Sequence, residues 1–145
     1  METKHNYRVS VEWNAGRIGT MSSPELSTKV EVATPPQFPK GVEGIWSPEH
    51  LFTAAVSSCF MTTFLAIADN SKLEFKELSI DSEGILDQVE GKFLMTEVIL
   101  KPTLTITNEQ DRERAERIMH KSEAACLISN SVKAKVTLEP TVLIA

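Results

Sequence analysis

From Leu51 to Ala68 the chain runs for 18 residues without a formal charge, and no other stretch limits its possible folds so strongly. Ser47-Pro48-Glu49 opens the stretch as a helix. Serine is the N-cap, proline takes the first helical position, where its missing N–H costs nothing, and an acid sits in the positive first turn. Asp69-Asn70-Ser71-Lys72 closes it. A helix that is apolar almost all round is expected to be central and covered on most sides. Its length touches the threshold for a bilayer span. However, it carries five hydroxyl residues (Thr53, Ser57, Ser58, Thr62 and Thr63), an acidic flank at Asp69 and no companion span, so burial inside protein is the expectation.

The rest of the chain must supply that cover, and most of it reads as strand. Tyr7, Val9, Val11 and Trp13 alternate with Arg8, Ser10 and Glu12, the pattern of a half-buried strand over residues 7–13. Asn14 to Gly19 supplies turn residues around Arg17. Two short strands are expected over residues 18–22 and 28–33, completing an antiparallel meander. Three prolines and a glycine make residues 34–41 a loop. After the central helix come two long strands, over residues 75–87 and 93–107, joined by a hairpin loop at 89–92. Pro102 suggests an edge position or a bulge in the second. Thr107 and Gln110 stand at capping-box spacing for a second helix. Arg112 with Glu116 and Glu113 with Arg117 give that helix a solvated face. Ala115, Ile118, Met119 and Ser122 form its inner stripe, which Cys126 continues. A last strand is expected over residues 132–138, with a short extension at 142–144. The order βββ-α-ββ-α-β, with strands in runs, indicates an α+β fold, expected as one domain over residues 1–145.

A net charge of −5 argues against nucleic acid or an anionic membrane as the main partner. The polar start leads straight into a strand pattern, so no signal peptide is expected, and a reducing cytoplasmic location is the default. His5, His50 and His120 show no ligand spacing with either cysteine, so no metal is expected. There is no glycine-rich phosphate loop and no nucleophile elbow.

The chain has two cysteines, Cys59 in the central helix and Cys126 at the end of the second. Taken singly, each reads as a small hydrophobe. They are too far apart for a local CxxC motif, so only the fold could bring them together. A peroxide-reducing thiol must ionise, and it needs a cation to hold the thiolate. Arginine suits that task, a carboxylate can orient the arginine, and a second thiol can trap the sulfenic acid as a disulfide. One candidate exists for each role: Cys59, Arg17, Glu49 and Cys126.

Three motifs carry a family resemblance: Gly16-Arg17-Ile18-Gly19, Ser47-Pro48-Glu49-His50-Leu51 leading to Ala54-Ala55-Val56-Ser57-Ser58-Cys59-Phe60, and Ala124-Ala125-Cys126-Leu127-Ile128-Ser129-Asn130-Ser131. At these residues the chain resembles the OsmC/Ohr proteins, thiol peroxidases that act on organic hydroperoxides. The resemblance implies an OsmC-like fold with antiparallel sheets around a long buried helix, in an intertwined homodimer with two active sites at the interface. It also implies Cys59 as the peroxidatic and Cys126 as the resolving cysteine, Arg17 as the support of the thiolate, and Glu49 as the acid that holds Arg17. No cofactor is implied. The Ohr branch is recycled by dihydrolipoyl groups, so a dithiol reductant, lipoyl-type in that branch, is the expected partner. The match is closer to the broad OsmC-like group than to Ohr proper.

Glu49 and Cys59 are ten residues apart on one helix, about 15 Å along its axis. The Glu49 beside each Cys59 is therefore expected from the partner chain, with central helices antiparallel across a two-fold axis. Phe38, Trp46, Phe52 and Phe60 are candidates for an apolar entrance that favours alkyl hydroperoxides over hydrogen peroxide. The rival reading from another class is a non-catalytic binding or redox-sensing dimer.

Overall fold

The computed structural model describes residues 3–145. The chain folds as two compact units, divided between Leu51 and Phe52. In the first, β1 (Ser10–Ala15), β2 (Ile18–Ser23) and β3 (Leu26–Ala33) form an antiparallel sheet in that order. Gly16 and Arg17 are the two turn residues between β1 and β2. Gly16 takes the left-handed conformation (φ 55°) that a tight hairpin asks of its first turn position, and the Trp13 indole donates to its carbonyl at 3.0 Å. The Ala33 N–H donates to the Trp46 carbonyl at 2.8 Å, which brings the loop back to the sheet just before the helix start. There the fully buried Ser47 caps as expected, its Oγ accepting the His50 N–H at 3.1 Å.

The half-buried strand expected over residues 7–13 is corrected. β1 starts at Ser10, and Tyr7, Val9, Val11 and Trp13 are all more than half exposed. Val11 and Trp13 share one face of β1, but no layer of the first unit covers that face, and Tyr7 and Val9 precede the strand.

Helix α1 (Pro48–Asn70) is unbroken and ends close to the expected place. It is not buried all round. Val56, Phe60, Phe64 and Ala68 recur every fourth residue as one buried stripe, while Met61 and Leu65 are exposed. By length and composition α1 could cross a membrane, yet its stripe is packed into a protein core.

That core lies in the second unit. β4 (Phe75–Val89) and β5 (Lys92–Ile106) form a long hairpin closed by Glu90 and Gly91, both left-handed (φ 51° and 79°) as a two-residue turn requires. β6 (Lys135–Leu138) and β7 (Thr141–Ile144) add in parallel to the other side of β5, at residues 97–100 and 103–106. β5 is thus the central strand, which corrects the edge or bulge expected at Pro102. Pro102 is fully buried and pairs in register with Ile80. On the opposite side it falls between the stretches that β6 and β7 pair, so its missing N–H interrupts neither ladder.

Helix α2 (Arg112–Ala125) follows a single 3₁₀ turn, Glu109–Asp111. Asn108, not Thr107, caps that turn, its side chain accepting the Gln110 N–H at 3.0 Å. Arg112 pairs with Glu109 at 2.6 Å, and Arg114 with Asp111 at 3.1 Å, in place of the i,i+4 bridges expected from the sequence. The inner stripe of α2 is as expected: Ala115, Ile118, Met119 and Ser122 are buried. Ala115, Ile118 and Met119 join the α1 stripe and Val98, Leu100, Leu104 and Ile106 of β5 in one core. A Cβ on Gly84 of β4 would run into the Thr53 hydroxyl and lie 2.9 Å from the Met95 methyl. Glycine there lets α1 lie close on the sheet.

Candidate active site

Cys59 precedes Phe60, so it is turned about 100° from the buried stripe of α1 and its side chain is half-buried at the edge of the core. Cys126 is the C-cap of α2, with no exposed surface. Both thiols are free, and the fold brings them close enough for each to shift the other's pKa. The second unit alone achieves this, because α1 and α2 share one core and Cys126 continues the inner stripe of α2.

The two sulfurs are electrostatically unequal. Burial pushes the Cys59 thiol up, but hydrogen bonds outweigh it and hold its pKa below the ordinary thiol value. They come from the Cys126 thiol, the backbone N–H groups of Ile128 and Leu127, and Thr63. The Thr63 Oγ1 stands one helical turn along α1, 3.9 Å from the Cys59 sulfur. Cys126 is shifted the other way. Burial raises it first, the hydrogen bond with Cys59 and the nearby Cys59 charge raise it further, and contacts with Ser129 offset part of the rise. Of the two thiols, Cys59 is therefore the one that ionises first, while Cys126 keeps its proton.

Arg17 and Glu49 belong to the first unit. Arg17 is exposed in the β1–β2 turn and lines a cleft of about 470 Å³ with Val11, Trp13, Ile18, Val32 and Pro48. Glu49 lies in the first turn of α1, half-buried, with its Oε1 inside the protein. Among the aromatic candidates, Phe60 is corrected: it is fully buried and stacked on Phe64 at 6.4 Å, a core residue without an entrance surface. Phe52 is half-buried and packs against the same core. Phe38 is half-buried in the proline-rich loop, and Trp46 is half exposed, its ring edge-on to His50. A larger cleft, about 740 Å³, lies between the C-terminal half of α1 and α2 and contains neither cysteine.

Sequence reasoning missed the groups that surround the thiolate. Thr63 was findable, since i and i+4 share a helix face. The Leu127 and Ile128 amides were not, because they depend on how the turn after Cys126 meets α1.

Residues 41–141 match the OsmC-like protein family. The chain belongs to that family. Among relatives, it is 26% identical over 140 residues to the uncharacterized protein YmaD of Bacillus subtilis, covering 93% of this chain and 91% of that one. It is also 26% identical over 139 residues to the organic hydroperoxide resistance protein-like 2 of Staphylococcus epidermidis, covering 94% and 95%. Among solved structures, an OsmC-like protein of unknown function from Vibrio cholerae superposes with a TM-score of 0.85 at 27% identity, over 94% of this chain and 99% of that one. The expected α+β, OsmC-like fold is the one observed.

Proposed function

We propose that this OsmC-like protein is a thiol peroxidase that reduces organic hydroperoxides to alcohols. The observation that carries the reading is the pair of adjacent free thiols, one favoured as thiolate and the other as its proton-bearing neighbour. The Cys59 thiolate attacks the terminal peroxide oxygen, the O–O bond breaks, and the alkoxide leaves and takes a proton to become the alcohol. Cys59 is then a sulfenic acid, with its charge gone. Loss of that charge removes one of the influences that raise the Cys126 pKa, so the second thiol is released for attack when its target exists. A Cys59–Cys126 disulfide forms, and an external dithiol, lipoyl-type in the Ohr branch, reopens it. The chemistry needs no cofactor.

In this reading the whole chain acts as one functional domain in the cytoplasm, as a homodimer. Arg17 supports the thiolate and peroxide, and Glu49 of the partner chain orients Arg17. Two features favour a second copy: the exposed Val11 and Trp13 beside Arg17, with Tyr7 and Val9 exposed just before them, and the exposed Met61 and Leu65 on α1. Phe38, Trp46 and Phe52 contribute an apolar approach for alkyl hydroperoxides.

The test is free-thiol count and intact mass of the reduced protein after one equivalent of cumene hydroperoxide, with hydrogen peroxide in parallel. Rapid loss of both thiols with a mass decrease of two hydrogens, faster with the organic peroxide, is the expected result. Folded protein whose two thiols ignore both peroxides would overturn the reading and leave a binding or sensing dimer.

A further inference from the structure

Beyond the Leu127 and Ile128 amides, which act on Cys59, the turn after Cys126 holds its shape with its own polar groups. The Cys126 N–H donates to the Glu123 carbonyl at 3.3 Å, and the Asn130 N–H to the Cys126 carbonyl at 3.1 Å. The Asn130 side chain donates to the Ala124 carbonyl at 3.1 Å, and the Ser131 hydroxyl to the Leu127 carbonyl at 2.7 Å. Ser129 is different. Its hydroxyl oxygen is buried and makes no well-formed hydrogen bond, yet it lies near enough to the Cys126 sulfur to favour that sulfur's thiolate form. A buried hydroxyl without a full partner destabilises a resting protein. Such a group makes sense when its partner appears only in another state of the site.

We propose that Ser129 is a catalytic residue of the disulfide-forming step, its hydroxyl donating a hydrogen bond to the Cys126 sulfur as that thiol becomes the attacking thiolate. The proposal rests on the peroxidase reading above. In the step, Cys126 gives up its thiol proton and its sulfur attacks the Cys59 sulfenic sulfur. The S–S bond forms as the S–O bond breaks, and the departing hydroxide takes up a proton to leave as water. Negative charge gathers on a sulfur with no exposed surface, where water cannot stabilise it and a fixed donor counts for more. Thr63 stands in the same relation to Cys59, so each sulfur has one hydroxyl of its own.

Ser129→Ala and Ser129→Thr separate this role from packing. After one equivalent of cumene hydroperoxide, S129A is expected to oxidise Cys59 at the wild-type rate but form the disulfide about tenfold more slowly. A dimedone-trappable sulfenic acid should accumulate, and the pH profile of the disulfide-forming step should move upward. S129T, which keeps the hydroxyl, should recover most of the rate. Equal disulfide-forming rates and pH profiles in wild type and S129A would overturn the assignment, as would equal slowing in S129A and S129T. Wild-type protein that consumes no hydroperoxide would overturn the peroxidase reading and this step with it, a result distinct from the other two.

Discussion

Cys59 and Cys126 are the same residue type in contact with each other, yet the fold makes them opposites. Cys59 sits on the flank of a helix with amide and hydroxyl donors pointing at it. Cys126 is sealed at a helix end, where burial and its neighbour both work against charge. A thiol pair becomes a directed device through the unequal distribution of donors, without any difference in the nucleophile itself.

Removing one side of the pair should give the largest effects. Cys59→Ser is expected to lower peroxide turnover by on the order of a thousandfold or more, with folding unchanged by thermal melt. Cys126→Ser should still consume the first equivalent of peroxide but stop there, its Cys59 passing to sulfinic acid under excess oxidant, as read by mass spectrometry. Equal residual turnover in the two variants would erase the distinction between the sulfurs.

Phe60→Ala sharpens the comparison from the side. Phe60 is adjacent to Cys59 but wholly in the core, so the loss should be about 3–5 kcal/mol of stability by chemical denaturation. The protein that remains folded should keep the order of the two steps.

The pH dependence separates the sulfurs without mutation. Peroxide attack should level off below the pH at which an ordinary thiol titrates, because the Cys59 pKa is lowered. Disulfide formation should keep rising to higher pH, because the Cys126 pKa is raised. Trapped sulfenic acid is therefore expected to grow as pH falls between the two. The smallest effect is expected from Thr63→Val, which removes one long hydrogen bond to the thiolate and should slow the first step about threefold at neutral pH. Thr63→Ser should restore it.

Much of this architecture was legible in the residues. Ser47-Pro48 placed the helix start, period-four apolar residues placed the inner stripe of α2, and Glu90-Gly91 fell inside the expected hairpin loop. Periodicity, however, tells which side chains share a face and not what lies against it. For that reason Tyr7 to Trp13 and the outer side of α1 looked buried and are exposed in a single chain. Pro102 misled for a related cause. The gap that accommodates it is made by β6 and β7, two strands from the far end of the sequence. The site divides in the same way: both cysteines could be singled out by residue type, whereas the amides of Leu127 and Ile128 have no side-chain signature. Asn108 and Thr107 are both competent caps, and only the backbone path chooses between them.

The contact between Cys59 and Cys126 also has a mechanical consequence. A bond between them would tie the middle of α1 to the end of α2, closing a loop of roughly 68 residues, which by chain entropy restrains the unfolded ensemble by about 4 kcal/mol. Each catalytic cycle would then alternate between a tethered chain and an untethered one. Heat and proteases would act chiefly on the reduced form, so a cell's supply of reductant would set the lifetime of the protein as well as its readiness for the next peroxide.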